Sequence, residues 1–529
     1  MRTLIVLAIA GFLGGGATDV IDRRISERWE SEGLKPAPAA DDYEYFRRLS
    51  IDLRGVIPTP DEIRAFAADA DPAKREKTVD AWLRSDAFAA WWSRRWADDL
   101  TLYPTGKVQV VHGLFRDWLR DAVRSNMPYD RFAKRLLTAK GPSDLDPAVG
   151  FLAAGLFNAK EEGSKDIVER TARVFLGMQI RCAECHDHPF DDWTQQDFLG
   201  MAAFFWQARS EVRGGGGTES QIGMIVDDAT KGEPGIAGGD KAVKKPEDPK
   251  TGKTPGPAKQ SLGPRYKSTG EGLRENESRR AAFARLLTAD RQFARAAVNR
   301  HWGLLLGRGL IHPLDGFSAG RKPSHPELLE ELSDEFIRSG YDVRKLMRSI
   351  VLSKPYQLSS RRPGAEESAA RLFTQAPVAP LLPEQLFDSV VRATGFDESK
   401  PGPKGKGGGG GDSFREAFFR EFKASVAANE PPVPVTDPTI SQALYFLNGE
   451  LVARGTSAAA EFRLARLLER EKDGAKRLEE LFLMTLSRPP KTRESEALLA
   501  RVRKAGDAPR IYEDIFWALL NSTEFVTRH

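Results

Sequence analysis

Both cysteines of the chain lie in Arg181-Cys-Ala-Glu-Cys-His-Asp-His-Pro-Phe190, three positions apart, with a histidine directly behind the second. Two sulfurs at this spacing can reach the two vinyl-derived positions on one porphyrin edge. A histidine beside the second sulfur can then turn its imidazole beneath the iron. On this reading Cys182 and Cys185 carry a haem c through thioethers, and His186 is the proximal iron ligand. For the opposite face the candidates are Met178, Met201, Met224 and the other histidines, of which His188 is too close to His186 to swing across. Met201 lies on a segment that can fold back, although its place on the apolar side also suits an ordinary core methionine. An iron with one open face is the remaining arrangement. Spacing alone therefore does not choose between electron transfer and small-ligand chemistry.

The same residues serve other chemistries. A C-x-x-C pair can be a structural disulfide or a thiol–disulfide exchange centre, here with Arg181 and His186 alongside. The strand-then-helix setting of a thioredoxin-like site is missing, because the preceding segment has helical periodicity. Cys182, Cys185, His186 and His188 are too cramped for a tetrahedral zinc site. Asp187, Asp191 and Asp192 have the chemistry for a hard cation, and equally for capping a loop by side chains. His301, beside Trp302, reads as a packing histidine, and His312-Pro313 and His325-Pro326 read as turns. No serine–histidine–carboxylate set or carboxylate pair can be nominated from spacing, so the sequence assigns no catalytic residue. Gly252-Lys253-Thr254 matches only the tail of a phosphate loop, since the leading glycine would fall at Glu247.

Helical segments must position the cysteine motif. Asp166 to Ile180 is amphipathic, with Ile167, Ala172, Phe175, Leu176 and Ile180 on one side, and it runs directly towards Cys182. After the motif, Asp191 or Asp192 can cap a helix carrying Phe198, Met201, Ala202 and Phe205. Upstream, Thr59-Pro60-Asp61-Glu62 is a complete helix start, and a run over about 77–100 carries Trp82, Trp91, Trp92 and Trp96 as core anchors. Downstream, a helical pattern covers about 276–306, with Arg279, Arg280, Arg285, Arg295 and Arg300 read as a solvated face. Ser324 with Glu327 predicts the next cap, Gly340 a stop and Asp342 another start. Helical patterns return over 462–484, 494–505 and 512–521. Period-two alternation is scarce, so the fold is read as mainly α.

The 79 basic and 75 acidic residues leave a net charge of only +4, which argues against nucleic acid as a partner. At the N-terminus Arg2 precedes an apolar run from Leu4 to Leu13 and then Gly14, Gly15, Gly16 and Ala17. Such a run is too short to span a bilayer and reads as a secretory signal over 1–20. Residues 21–40, charged and proline-containing, read as a leader into a first module over 41–211. Residues 212–274 are rich in Gly, Pro and Lys and read as a flexible or weakly structured insertion. A second helical module follows over 275–529, with a Gly-rich loop at 401–411.

Several stretches resemble a large bacterial family, abundant in planctomycetes, whose two modules are known mainly as domains of unknown function. The first of those modules is also described as planctomycete cytochrome-like. Its hallmarks are matched by Arg47-Arg48-Leu49-Ser50-Ile51-Asp52-Leu53-Arg54-Gly55-Val56-Ile57-Pro58-Thr59-Pro60 and by Cys182 to Asp191. The second module is matched by Ala297 to Trp302, Gly307 to Leu310, Ser324 to Leu329, Ser339 to Asp342, Tyr356 to Ser360, Gln442 to Leu444 and Ala518 to Ser522. The resemblance implies an exported, haem-type protein. Many members also carry a separate cytochrome c module, whereas this chain has no further C-x-x-C-H segment, so the motif at 182–186 is either the sole haem site or a non-haem structural remnant. The family has no established catalytic residues to carry over.

Together these readings lead to a periplasmic or otherwise exported, multi-helical two-module protein. It binds one haem c at Cys182, Cys185 and His186 for electron transfer with an envelope redox partner. The competing expectations are a non-catalytic envelope scaffold with a Cys182–Cys185 disulfide, and a thiol–disulfide redox protein.

Overall fold

The computed structural model describes residues 16–101, 109–156, 163–213, 222–230, 235–237, 259–361, 370–398, 413–423, 446–447, 449–459 and 461–529. The apolar run read as a secretory signal and the Gly-rich loop at 401–411 lie outside the described residues. The fold is mainly helical. In chain order the helices are α1 (Ala17–Ser31), α2 (Asp42–Arg54), α3 (Pro60–Ala68), α4 (Lys74–Leu83), α5 (Asp86–Thr101), α6 (Gln109–Arg124), α7 (Tyr129–Thr138), α8 (Gly150–Leu156), α9 (Gly163–Thr171) and α10 (Gln195–Ala202). Then come α11 (Arg279–Ala289), α12 (Arg291–Leu306), α13 (Pro326–Arg338), α14 (Val343–Val351) and α15 (Lys354–Gln357). The last group is α16 (Pro383–Thr394), α17 (Phe414–Lys423), α18 (Glu450–Gly455), α19 (Arg463–Arg470), α20 (Gly474–Leu486), α21 (Thr492–Lys504), α22 (Pro509–Leu520) and α23 (Thr523–Val526). Among the described residues no helix is long and apolar enough to cross a membrane.

Local capping explains many of the boundaries. Thr59 and Glu62 form the reciprocal capping box expected of them, and Asp342 caps α14 by accepting from Lys345 N. Other runs break where a short polar side chain intercepts the backbone. The run over 77–100 is two helices, because Ser85 Oγ accepts from Phe88 N at 3.1 Å and starts α5. The run over 276–306 divides at Asp290, which ends α11 and caps α12 through Gln292 N at 2.9 Å. Asp473 divides 462–484 in the same way, accepting from Ala475 N and Lys476 N. The cap expected from Ser324 does not form. His325 holds the N-cap position of α13, and Ser324 Oγ pairs instead with His325 Nδ1 at 3.0 Å.

Residues 21–40, read as a leader, pack into the fold. Ile21, Ile25 and Trp29 recur at four-residue spacing, so α1 has an apolar stripe that is buried against α13 and α14. Trp29 Nε1 donates to Leu372 O at 2.8 Å, and Ala37 N donates to Thr374 O at 2.7 Å. Part of 212–274 is also ordered into the fold. A three-stranded antiparallel sheet has the order β1 (Gly141–Pro142), β3 (Ile222–Asp227), β2 (Ala208–Arg213), with Met224 and Ile225 of the central strand buried. Tyr266 is buried against Phe283 of α11. Alternating apolar residues in so short a strand give little periodic signal.

Two hydrophobic cores result. The larger runs from Ile21 to Phe373 with Leu483, drawing on residues before and after the insertion. The smaller combines 381–525 with Ile51, Val56 and Ile57. Helix α2 therefore belongs to both, with Leu49 and Leu53 in the first and Ile51 in the second, and every residue from Glu44 to Leu53 is buried. A helix buried all round must pair its charges internally. Arg47 donates to Thr485 O (2.8 Å), Ser487 Oγ (3.1 Å) and Phe525 O (2.9 Å). Arg48 donates to Glu44 Oε1 (2.9 Å), Leu358 O (2.9 Å) and His529 O (3.1 Å). Asp52 accepts from Arg528 Nε and Nη2 (2.6 and 2.7 Å) and from Tyr356 Oη (2.7 Å).

Two of the arginines read as a solvated face, Arg280 and Arg300, follow the same rule and are buried, whereas Arg279, Arg285 and Arg295 are partly exposed. Arg280 is 3% exposed and grips Asp227 through Nε and Nη2, and also the carbonyls of Leu137 and Ala139. Arg300 is 8% exposed and pairs with Asp99 at 3.0 Å. Their apolar neighbours at helical spacing place these positions inside, and distant carboxylates neutralise them.

Candidate functional site

The cysteine motif follows a helix that ends abruptly. After α9 the backbone widens into one π turn, Ala172–Leu176, and closes at Gly177 with φ of 67°. A side chain at Gly177 would stand 2.7 Å from the Phe317 ring, so this left-handed, crowded position requires glycine. The continuous helix expected from Asp166 to Ile180 thus stops four residues early, at Leu176. Phe317 N donates to Gly177 O at 2.9 Å, and Met178 bridges Gly316, which ties the approach to the second module.

A single 3-10 turn, Arg181–Glu184, then presents the motif. Cys182 lies within this turn, and Cys185 is the C-cap residue that ends it. Buried Ala183 roots the turn in the core, whereas both cysteines are exposed. Both are free thiols, so the Cys182–Cys185 disulfide of the scaffold expectation is not formed here. Gln195 of α10 clamps the turn from below: its Nε2 donates to Glu184 O and Cys185 O, both at 3.1 Å. Lys165 of α9 holds the Glu184 carboxylate at 3.1 Å, and Arg181 reaches Asp166 at 3.5 Å and Glu184 at 3.8 Å.

The two histidines differ in which nitrogen they leave available. His186 Nδ1 lies 2.7 Å from Asp187 O, so Nδ1 carries the proton and Nε2 keeps its lone pair. His188 Nδ1 accepts from Phe190 N at 3.2 Å, so its proton is on Nε2 and its lone pair is already committed. An imidazole that donates Nδ1–H to a backbone carbonyl is oriented and made more basic at Nε2, the usual support for an iron-ligating histidine. The donor set, two free exposed thiols and one Nε2 lone pair, fits a thioether-bound haem with His186 proximal. Phe190, 88% exposed beside the His188 ring, adds apolar surface at the motif.

The acidic residues of the loop are occupied in holding it. Asp187 Oδ1 accepts from Gln195 N at 2.9 Å, and Asp191 Oδ1 accepts from Asp192 N at 2.9 Å and Ala319 N at 3.3 Å. Neither Asp191 nor Asp192 caps the following helix. Thr194 does, in a capping box with Asp197. Lys267 fastens the far side, donating to Asp192 O at 2.6 Å and to Asp197 Oδ2 at 3.1 Å. Among the described residues no three His, Cys, Asp or Glu side chains converge as a metal-holding group, so the four-ligand zinc arrangement is not assembled.

The sixth-ligand candidates lie elsewhere. Met201, on α10, is 1% exposed within the larger core, while Cys182, Cys185 and His186 are at the surface. Met224 is buried in β3, and Met178 packs partly buried against the core. His301 is fully buried: Nδ1 bonds Ala297 O at 2.8 Å, its ring stacks on Trp92, and Nε2 has no partner. Burial lowers its pKa to about 4, so it is neutral at pH 7. Sequence reasoning missed a buried ionic group beside the loop, made of Asp99, Asp166, Glu169, Arg170, Arg173 and Arg300. Its members lie 201 residues apart in the case of Asp99 and Arg300, and no local pattern announces them.

Residues 20–210 match the family model PSCyt2, described as a protein of unknown function (DUF1549), and residues 279–407 match PSD1, described as a protein of unknown function (DUF1553). No curated protein and no solved structure matches the chain.

Proposed function

The chain belongs to the two-module planctomycete cytochrome-like family, and from that premise we propose that it carries one c-type haem at Cys182, Cys185 and His186 and transfers electrons in the cell envelope. The observation that carries this reading is the pairing of two free, exposed thiols, Cys182 in a 3-10 turn and Cys185 at its C-cap, with a histidine whose Nδ1 is held by the Asp187 carbonyl. Cys182 and Cys185 would hold the group through thioethers, and His186 Nε2 would donate to its iron. When bound, the group supplies one-electron transfer at a potential set by its axial ligands and surroundings.

The remaining work falls to this chain's own residues. The Asp187 carbonyl keeps the proton on His186 Nδ1, which fixes both tautomer and ring orientation. Gln195 and the Lys165–Glu184 pair hold the turn in place while both thiols stay exposed. Exposure also suits attachment by a maturation system, which must reach both sulfurs. The family relationship and the apolar run Leu4 to Leu13 support export.

The test is expression with export in a host that attaches c-type haem, followed by denaturation and a pyridine haemochrome spectrum. One covalent haem per chain is expected, with none when Cys182 and Cys185 are both replaced by serine. Colourless protein from a host that matures a control cytochrome would refute the proposal. The second reading, a reversible dithiol, is favoured by the same exposed free thiols. It requires the pair to oxidise to an intramolecular disulfide, giving two electrons and two protons to a partner disulfide, in protein that never takes haem.

A further inference from the structure

Beside the motif, one buried side chain lacks the partner its chemistry demands. Arg173, in the π turn, is 7% exposed, and neither its Nε nor its Nη2 makes a hydrogen bond. These two N–H groups share one edge of the guanidinium, the side-on fork that matches a carboxylate with two parallel hydrogen bonds. Elsewhere the chain puts a carboxylate on that same edge: Arg528 on Asp52 (2.6 and 2.7 Å), Arg280 on Asp227 (2.9 and 2.8 Å), and Arg285 on Glu277 (2.9 and 2.9 Å).

The carboxylates around Arg173 are already spent, or unsuited. Asp99 accepts from Arg300 at 3.0 Å, and Asp166 accepts from Arg170 at 2.7 Å and from Arg181 at 3.5 Å. Glu169, one helical turn before Arg173, makes no bond among the described residues, and burial pushes its carboxyl towards the neutral form. Arg170, Arg173 and Arg300 thus share two bonded carboxylates. Arg300 Nη2 also donates to the Arg173 carbonyl at 3.2 Å, which fixes the backbone that carries the open fork. Glu169 and Asp99 act on its charge from nearby, yet neither fills the Nε–Nη2 edge, and a buried guanidinium with that edge unpaired suits an oxyanion that arrives from outside this set.

We infer that the Nε–Nη2 fork of Arg173 is a receptor for one carboxylate group of a ligand. Two sources share that chemistry: a free small carboxylate, or a propionate of a tetrapyrrole attached at Cys182 and Cys185. Only the second source rests on the haem reading, and the receptor does not depend on it.

The experiment titrates full-length protein, prepared without haem, with sodium propionate against sodium chloride at equal ionic strength, and follows thermal unfolding. Saturable stabilisation is expected in the wild type, at least tenfold weaker in Arg173→Lys, which keeps the charge without the fork, and absent in Arg173→Met. No saturable propionate effect in the wild type, or an equal effect in Arg173→Lys, overturns the inference. The lysine variant alone decides if the methionine variant does not fold. Repeating the titration on protein with haem attached separates the sources. Loss of the propionate response assigns the fork to the attached group, and an unchanged response assigns it to a free carboxylate. A chain that never accepts haem still answers the first titration, so failure of the haem reading and failure of the receptor are distinguishable.

Discussion

Replacing Asp52 with asparagine tests whether the charges inside α2 lock the two cores together. Asp52 is 6% exposed and accepts two hydrogen bonds from Arg528, at 2.6 and 2.7 Å, and a third from Tyr356 at 2.7 Å. Asparagine has nearly the same shape, but it offers one neutral oxygen and turns an NH2 group towards the guanidinium. The Arg528 fork then loses its counter-ion in a site where water cannot replace it. Each charge-assisted bond contributes about 1.5–3 kcal/mol, and removing one partner of a buried pair costs about 3–5 kcal/mol. The single variant should therefore lose about 4 kcal/mol. The double variant Asp52→Leu/Arg528→Met removes both charges and should lose clearly less than the sum of its two single changes, because neither charge is left stranded. A double-mutant cycle read by urea denaturation would give a coupling of at least ~2 kcal/mol. Tryptophan fluorescence is a suitable signal, since Trp91 and Trp92 both donate to the Asp52 carbonyl at 3.2 Å. A loss below about 1 kcal/mol for Asp52→Asn, or additive single changes, would refute the claim that this ion pair joins the cores.

Three further outcomes follow from the same geometry. His301 is neutral in the fold, with a pKa lowered to about 4 by burial and by Arg300, against the opposing Ala297 carbonyl and Asp99. Its folded value lies below the ordinary 6.5 of a histidine, so unfolding takes up a proton, and stability present above pH 6.5 is lost as pH falls towards 4. The full effect is about 3 kcal/mol, and His301→Phe should flatten the fall of urea stability between pH 7 and 4.5, whereas an unchanged slope would contradict it. Gly55→Ala places a methyl group 2.4 Å from the Trp91 ring at a φ of 72° and should cost about 3 kcal/mol. Gly33→Ala, also at positive φ but with nothing within 4 Å, should cost about 1 kcal/mol, and equal melting temperatures for the two would be the wrong result. Both cysteines, exposed and free, should react with a thiol reagent in the native, reduced, haem-free protein, giving two equivalents without denaturant; fewer than two would mean that the turn hides one sulfur.

Local chemistry was the legible part of the fold. Thr59-Pro60-Asp61-Glu62 and Asp342 carry their caps within three residues of themselves, and both helix starts are where the residues place them. Where three short polar groups competed for one cap, proximity in sequence was ambiguous: Thr194 won over Asp191 and Asp192 because Asp197 completes its box. Buried charge was not legible. Arg280 and Arg300 looked solvated because the groups that neutralise them, Asp227 and Asp99, are remote in sequence. A usable signal did exist in α2, where Ile51 puts an apolar residue on the side of Arg47 and Arg48, opposite Tyr45, Phe46, Leu49 and Leu53. A helix that is apolar all round is an interior helix, and charges within it must have partners. The spacing of Cys182, Cys185 and His186 was visible at once. That His186 rather than His188 keeps its Nε2 lone pair depends on two backbone contacts that no spacing rule encodes.

The loop that carries the thiols is held from four separate places: Lys165 on α9, Gln195 on α10, Lys267 beyond the sheet, and residues 316–319 before α13. Two of those four lie beyond residue 260, so the second part of the chain helps to hold the loop in position. This explains how a surface turn can keep two side chains in register without burying them. A thiol pair meant for covalent attachment must stay reachable, yet its sulfurs must not wander, and those demands conflict for a free loop. Pinning the backbone through Glu184, Cys185, Asp187 and Asp191 while leaving Cys182, Cys185 and His186 in contact with solvent satisfies both. Arg300 of α12 serves the same end one layer down, because it bonds the Arg173 carbonyl just beyond α9, the helix that carries Lys165. The stability of the cores and the accessibility of the motif are therefore separable properties, carried by different residues.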